Sequence, residues 1–233
     1  MRILLTRAQA DAERTAERLT QLGHKSIVSP VIEIVAASAA IPAGNFDAVI
    51  ATSAHAFART NVASLLHLPL YVVGERTCEA VRDCGWRGAI DVSANAQALI
   101  ARIRGDGSLK NLLYLAGRDR KPDIEAAARE IGLDLHVIET YIAQDASSLS
   151  ENAKDAMRSG DIDAVLHYSR RSAELFIALA QRAALWPNAT KLRHLAISED
   201  AAAPLIAAGA SAQAAASRDE AHLLTLLRAA ARR

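Results

Sequence analysis

The sequence has few of the features that mark secreted, membrane-spanning or nucleic-acid-binding proteins. Its two cysteines, Cys78 and Cys84, have a spacing that matches neither a metal knuckle nor a disulfide framework. No stretch approaches the roughly 18 apolar residues of a membrane span, and the apolar run in the opening MRILLTRAQA is too short for a signal peptide. A net charge of +1 provides no global field for nucleic acid or an acidic membrane surface. We therefore expect a cytoplasmic globular protein with free thiols and with neither nucleic-acid nor membrane partners.

Common catalytic and cofactor motifs are also missing. The chain has no GxGxxG and no Walker A sequence, so classical dinucleotide or nucleoside triphosphate binding lacks support. It has no GxSxG elbow of the kind that marks a hydrolase. The seven histidines are scattered without an HxxxH or HExxH pair, so we expect no metal site. Any recognition of anions must then come from a local arrangement of side chains and backbone groups.

The residues that are present favour an α/β fold. Hydrophobic residues make up 51% of the chain and charged residues 23%, which is typical of a globular protein with an ample core. Short apolar runs such as 2–6, 70–74 and 111–117 predict strands, and they alternate with helical patterns such as 10–23 and 124–132. Apolar strands that alternate with helices predict parallel sheets covered on both faces.

The two halves of the sequence repeat each other. DAVIATS at 47–53 matches DAVLHYS at 163–169, and VVGERTCEAVRDCG at 72–85 matches AISEDAAAPLIAAG at 196–209. LLTR near the start likewise matches YLAGR near residue 114. This predicts two copies of one small α/β unit with a cleft between two similar domains. In such sheets ligands bind at the carboxyl ends of the strands.

Polar residues follow the predicted strands where helix N-termini should lie. They are Thr6–Arg7, Ser53, Gly74 with Thr77, Arg118, and Ser169–Arg170. Unpaired backbone N–H groups and the positive end of a helix dipole make such turns suitable for anions. The same serines and Thr77 could equally be helix caps, and the arginines could be solvated. Several such turns opening on one cleft would favour anion binding.

Taken in order, ILLTRAQ, SPVIEI, VIATSAHA, VVGERTCEAVRDCG and VIETY resemble the uroporphyrinogen-III synthase family over essentially the whole chain. The resemblance implies two similar doubly wound parallel-sheet domains (flavodoxin-like), joined by a paired extended linker, with a cleft between them. Residues 1–34 and 143–233 would form one domain and residues 35–142 the other. SPVIEIV and HVIETYIA would be the linker strands.

The resemblance also implies an enzyme without a metal or other cofactor that cyclises hydroxymethylbilane, inverts its D ring and releases water. Tyr141 matches the tyrosine thought to donate a proton to the departing hydroxyl. Arg7, Ser53, Gly74, Thr77, Arg118 and Ser169 would hold the substrate carboxylates, with Arg170, His55 and Arg59 as weaker candidates. In the second copy of the repeat, Ser198 occupies the position of Gly74 and Ala201 that of Thr77. We therefore assign the 198–202 turn no binding role. We expect a monomer that can receive its substrate from hydroxymethylbilane synthase.

Two other functions are compatible with the sequence. A non-catalytic two-domain sensor could bind a polycarboxylate or a sugar phosphate through the same turns, but it would not need Tyr141. A nucleotide-sugar transferase with paired Rossmann domains is disfavoured by the small size of the chain and its lack of a glycine-rich loop.

Overall fold

The computed structural model describes residues 1–37, 40–58 and 60–228, and within them strands alternate with helices. The strands are β1 (Arg2–Leu5), β2 (Lys25–Val28), β3 (Ile32–Ala36), β4 (Ala48–Ala51), β5 (Leu70–Val73), β6 (Ile90–Ser93), β7 (Asn111–Gly117), β8 (Asp134–Asp145), β9 (Ala164–His167), β10 (Arg193–Ala196) and β11 (Ala212–Ala214). The helices are α1 (Gln9–Gln21), α2 (Glu75–Asp83), α3 (Ala96–Gly105), α4 (Asp123–Glu130), α5 (Glu151–Ser159), α6 (Arg170–Arg182), α7 (Trp186–Ala189), α8 (Glu199–Ala207) and α9 (Glu220–Arg228).

The chain divides into two compact units. Unit 1 comprises Met1–Glu33 and Gln144–Arg233, and unit 2 comprises Ile34–Ala143. Whether each unit is an independent domain with the boundaries expected from the sequence stays a prediction.

Unit 1 is built on a five-stranded sheet in the order β2-β1-β9-β10-β11. Its neighbouring strands are parallel, and Leu4 of β1 pairs with Ile27 of β2 and with Val165 of β9. Leu4 and Val165 pack into one apolar cluster, whereas Ile3 and Leu5 pack into another. Successive residues of one strand therefore face two covered sides of the sheet, which explains why these strands are apolar throughout.

Unit 2 is built on a six-stranded sheet in the order β3-β8-β7-β4-β5-β6. Strands β4 to β8 pair in parallel, and Val49 and Ile50 of β4 again contribute to two different apolar clusters. The ladder between β7 and β8 is irregular between Ala116 and Gly117. This irregularity lies at the carboxyl end of β7, where a ligand site is expected.

The two sheets correspond strand by strand, which confirms the predicted repeat. The sequence matches equate β7 with β1, β4 with β9 and β5 with β10. With β8 as the counterpart of β2 and β6 as that of β11, the order β8-β7-β4-β5-β6 in unit 2 reproduces β2-β1-β9-β10-β11 in unit 1. The extra strand of unit 2 is β3, which belongs to the predicted linker.

One local prediction was wrong. The sequence after Ser53 predicts a helix, but the described residues form only the short 3-10 helices Ala54–Ala56 and Ala63–Leu65. These short turns bury Phe57, Val62 and Leu65 in the core of unit 2, so tertiary packing outweighs the local helical pattern here. Arg59 lies outside the described residues.

Candidate functional site

Within each unit, the predicted site residues lie near the carboxyl ends of parallel strands. Unit 2 contains Ser53 after β4, Gly74 and Thr77 after β5, Arg118 after β7, and Tyr141 within β8. Unit 1 contains Arg7 after β1, and Ser169 and Arg170 after β9. Because the carboxyl ends of parallel strands share one edge of a sheet, each unit gathers its own candidates on one side.

Tyr141 lies in a narrow space in unit 2. A β-carbon placed on Gly117 would be 2.6 Å from Cζ of the Tyr141 ring, which shows how closely the ring crosses the glycine. The His55 ring meets the Tyr141 ring edge-on, with 5.6 Å between centroids. The backbone N–H of Arg118 donates to the Tyr141 carbonyl at 3.0 Å. The ring of the expected proton donor is thus confined by its own unit.

Among the four tyrosines, Tyr141 alone has a hydroxyl with no hydrogen-bond partner in the described part of the chain. The Tyr71 hydroxyl donates to Asp106 at 2.9 Å, the Tyr168 hydroxyl donates to Glu220 at 2.6 Å, and the Tyr114 hydroxyl lies 3.1 Å from Thr52 Oγ1. Burial, followed by the Asp106 hydrogen bond, raises the pKa of Tyr71 to about 12. Burial is also the main cause that raises the pKa of Tyr168 and of Tyr114. Within the described residues, Tyr141 is therefore the tyrosine whose hydroxyl is not engaged by another protein group.

Arg118 is paired with a carboxylate of its own unit. Its Nε donates to Glu139 Oε2 at 3.1 Å, and Arg120 Nη1 donates to Glu139 Oε1 at 3.3 Å. The Arg118 hydrogen bond is the main cause that holds the pKa of Glu139 below its usual value. Glu139 is therefore an anion already positioned beside the predicted anion-binding arginine.

The remaining unit 2 candidates have structural partners. The Ser53 hydroxyl accepts a hydrogen bond from the backbone of His55 at 3.3 Å and so caps the short 3-10 helix. Gly74 adopts a φ of 79°, a left-handed value that other residues rarely adopt. Its N–H donates to the Ser93 carbonyl at 2.9 Å. Thr77 lies in the first turn of α2 and is only 3% exposed. Binding roles for these three residues stay predictions.

Arg7 lies in a half-buried network in unit 1. Its Nη1 donates to Glu220 Oε1 at 2.9 Å and to Thr15 Oγ1 at 3.2 Å. Its guanidinium carbon stacks 3.9 Å from the centre of the Tyr168 ring. Glu220 begins α9 and also pairs with Arg18. The structure therefore places the Arg7 guanidinium between the Glu220 carboxylate and the face of the Tyr168 ring.

Ser169 and Arg170 begin α6. Ser169 and Ser172 form a capping box, in which Ser169 Oγ accepts from the Ser172 backbone at 3.1 Å. Arg170 Nε donates to Asp200 Oδ1 at 2.8 Å, and this hydrogen bond is the main cause that raises the pKa of Arg170. The neighbouring Arg171 pairs with Asp145 at 2.9 Å. Both arginines of the motif thus contact acidic side chains.

The sequence did not reveal these acidic partners. Glu139, Asp200 and Glu220 are separated from their arginines by 21, 30 and 213 positions. The sequence offered a weak indication for Glu139 alone, because it lies two residues before Tyr141 in a predicted strand and alternate residues of a strand share one face. The other two contacts depend on which helices the fold brings together.

The part of the chain that the structure describes contains no group of three or more His, Cys, Asp or Glu side chains arranged to hold a metal ion. Nor does any helix there combine the length and apolar character that crossing a membrane requires.

Two parallel α/β sheets of corresponding strand order, each with polar turns at its carboxyl edge, define a two-unit doubly wound α/β protein. The chain belongs to the uroporphyrinogen-III synthase family, because the family model described as uroporphyrinogen-III synthase HemD matches residues 13–225. The family acts in tetrapyrrole synthesis, so the expected function is confirmed at this level and is favoured over a non-catalytic sensor.

Solved structures support the fold. Uroporphyrinogen-III synthetase from Helicobacter pylori is similar, with a TM-score of 0.65 and 16% identity over 98% of this chain and 99% of that chain. A mutant uroporphyrinogen III synthase from the extremely thermophilic bacterium Thermus thermophilus gives a TM-score of 0.52 and 15% identity over 100% of this chain and 98% of that chain. At these identities the likeness shows the fold alone. A comparison with curated proteins gave no match.

Proposed function

We propose that this protein is a hydro-lyase that converts hydroxymethylbilane into uroporphyrinogen III, with inversion of the D ring and release of water. The family match over residues 13–225 carries the proposal. The uncommitted Tyr141 hydroxyl supports it, because a sensor that only binds a polycarboxylate has no need of a proton donor.

In the proposed reaction, the Tyr141 hydroxyl donates its proton to the hydroxyl group of hydroxymethylbilane. The carbon–oxygen bond breaks, the bonding electrons leave with oxygen, and water departs. The resulting azafulvenium cation is attacked by the substituted α-carbon of ring D, which gives a spiro intermediate. The bond from that carbon to its original methylene bridge then breaks, and the freed methylene cation bonds to the other α-carbon of ring D. Loss of the proton from this carbon, which the Tyr141 phenolate can take back, restores the pyrrole and completes the macrocycle. The cation also closes spontaneously to the uninverted isomer, so the protein must hold the chain folded for the other attack.

We propose that the carboxylates of the substrate bind through Arg7, Ser53, Gly74, Thr77, Arg118, Ser169 and Arg170. The three arginines are paired with Glu220, Glu139 and Asp200, so substrate carboxylates would exchange with internal ones. Such an exchange preserves the number of ion pairs while it replaces an internal partner with the substrate. Binding would then select a substrate that presents several carboxylates at once.

We further propose that the protein acts as a cytoplasmic monomer and can receive hydroxymethylbilane from hydroxymethylbilane synthase. The free cysteines Cys78 and Cys84 support a reducing compartment. Direct transfer is favoured chemically, because hydroxymethylbilane released into water cyclises without inversion.

The test couples the purified protein to hydroxymethylbilane synthase and porphobilinogen, then separates the oxidised uroporphyrin isomers. We expect isomer III in excess over isomer I, and formation of isomer I alone would contradict the proposed function. Tyr141→Phe should lower kcat about 100-fold, within the range typical of a general acid, with an unchanged unfolding midpoint. Tyr71→Phe removes a different tyrosine hydroxyl and should keep wild-type kcat.

A further inference from the structure

The end of the β7–β8 ladder gives Tyr141 an unusual position. Ala116 pairs with Glu139, but the next residue, Gly117, pairs with Tyr141, so the register skips Thr140. The Thr140 hydroxyl is buried and donates to the Ala116 carbonyl at 3.3 Å. A bulge of this kind redirects the side chains that follow it. Here it brings the Tyr141 ring directly over Gly117.

Gly117 is required here for space. A β-carbon on this residue would lie 2.6 Å from Cζ, 2.8 Å from Cε2 and 2.8 Å from the hydroxyl oxygen of Tyr141. Those separations are shorter than side-chain carbons tolerate, so any larger residue at position 117 must displace the ring.

The displaced atoms are the tip of a side chain and not the backbone. At Gly88, by contrast, a β-carbon would lie 1.9 Å from the Leu68 carbonyl oxygen, so an added methyl group there would force the main chain apart. A methyl group on Gly117 can be accommodated by movement of the Tyr141 ring. The substitution therefore changes the position of one hydroxyl group while the sheet keeps its structure.

Two other contacts limit where the ring can lie. His55 packs edge-on against it, with an angle of 60° between the ring planes. The hydrogen bond from the Arg118 N–H to the Tyr141 carbonyl fixes the backbone beneath it. Gly117 limits the ring on a third side, and the ring can approach its backbone closely because glycine has no side chain.

We propose that Gly117 is a positioning residue for the reaction, because it sets the place from which the Tyr141 hydroxyl donates its proton. This inference rests on the proposed function. Gly117 touches no reacting atom, and its effect is transmitted entirely through Tyr141. A misplacement of about 1 Å near a reacting group can lower the rate about 100-fold.

The first test is kinetic. Gly117→Ala should lower kcat about 10- to 100-fold and leave KM within about twofold, since the donor moves and the carboxylate contacts do not. Gly105→Ala is the matched control, because a β-carbon there meets nothing within 4 Å, and it should keep wild-type values. In a Tyr141→Phe background, Gly117→Ala should cause no further loss of kcat. Wild-type kcat in Gly117→Ala, or an equal loss in both backgrounds, would overturn the proposal.

The second test does not depend on activity. Gly117→Ala should lower the thermal unfolding midpoint in the wild-type background and leave it unchanged in a Tyr141→Ala background, where the obstructing ring is gone. Equal shifts in both backgrounds would show that the contact does not exist and would overturn the proposal. If the wild-type protein makes only isomer I, the proposed function fails. The comparison of unfolding midpoints in the two backgrounds would still show whether Gly117 and Tyr141 are in contact.

Discussion

The hydroxyl group of Tyr168 donates to Glu220 at 2.6 Å, and the same carboxylate oxygen accepts from Thr15 at 2.6 Å. Burial alone would raise the pKa of Glu220, but these hydrogen bonds and the charges of Arg7 and Arg18 lower it overall. The ionised carboxylate thus joins α1, the turn after β9 and the start of α9.

Glu220→Gln should lower the free energy of unfolding by about 1–3 kcal/mol. The change removes the nearer of two carboxylates that pair with the half-buried Arg7, the other being Asp11 at 3.6 Å, and it weakens charge-assisted hydrogen bonds. Denaturant titration measures the effect. Glu151→Gln, which removes an exposed partner of Lys154, is the control and should stay within about 0.5 kcal/mol of wild type. Equal effects would show that the network is not stabilising.

Ser169 and Ser198 form a matched pair that separates capping from binding. Each hydroxyl accepts from the third backbone N–H of its helix, at 3.1 Å in Ser169 and 3.3 Å in Ser198. Changing either serine to alanine should lower the free energy of unfolding by about 1 kcal/mol. Ser169→Ala alone should also raise KM, about 3- to 10-fold, if its turn holds a substrate carboxylate. Identical kinetics in both variants would mean that Ser169 caps its helix and does not bind substrate.

Glu139→Gln should lower KM about two- to fivefold at low ionic strength. The change removes the internal competitor for Arg118, and an exposed ion pair contributes up to about 1 kcal/mol. This decrease in KM should become smaller as salt is added, because salt screens exposed charges. Glu130→Gln, which removes the exposed partner of Arg104, provides the control and should leave KM unchanged. A higher KM in Glu139→Gln would mean that Glu139 orients the arginine for binding.

The buried pair His167 and His194 should make stability depend on pH. His167 Nε2 lies 3.0 Å from His194 Nδ1, and burial is the main cause that lowers the pKa of both rings below 6.5. Below about pH 6.5 the unfolded chain therefore binds more protons than the folded one. Their full contribution to stability is present above that pH and is lost as the pH falls towards the folded pKa values.

His194→Gln tests this dependence, because its amide can still donate to the Ala189 carbonyl while one titrating group is gone. The slope of unfolding free energy between about pH 6.5 and 5.5 should fall by up to about 1.4 kcal/mol per pH unit. His67→Gln, at an exposed histidine, should keep the wild-type curve. An unchanged slope in His194→Gln would contradict the prediction.

The sequence predicts the alternation of strands and helices well, because both faces of each sheet are buried and strands such as Ala48–Ala51 are apolar throughout. It fails after Ser53, where burial of Phe57 outweighs helical propensity. It also cannot reveal that Arg7 meets Glu220, since that contact depends on where α9 packs. Gly117 was part of a recognised motif, but its role depends on a register shift that no local pattern encodes.

The strand orders show that the repeats and the compact units divide the chain differently. The first tandem copy contributes β1 and β2 to one sheet and β4 to β6 to the other, and the second copy contributes β9 to β11 and then β7 and β8 in return. The two copies have thus reciprocally exchanged strands within one polypeptide. A cut between β6 and β7 would leave each fragment with part of both sheets, so neither sheet can be completed without the other fragment.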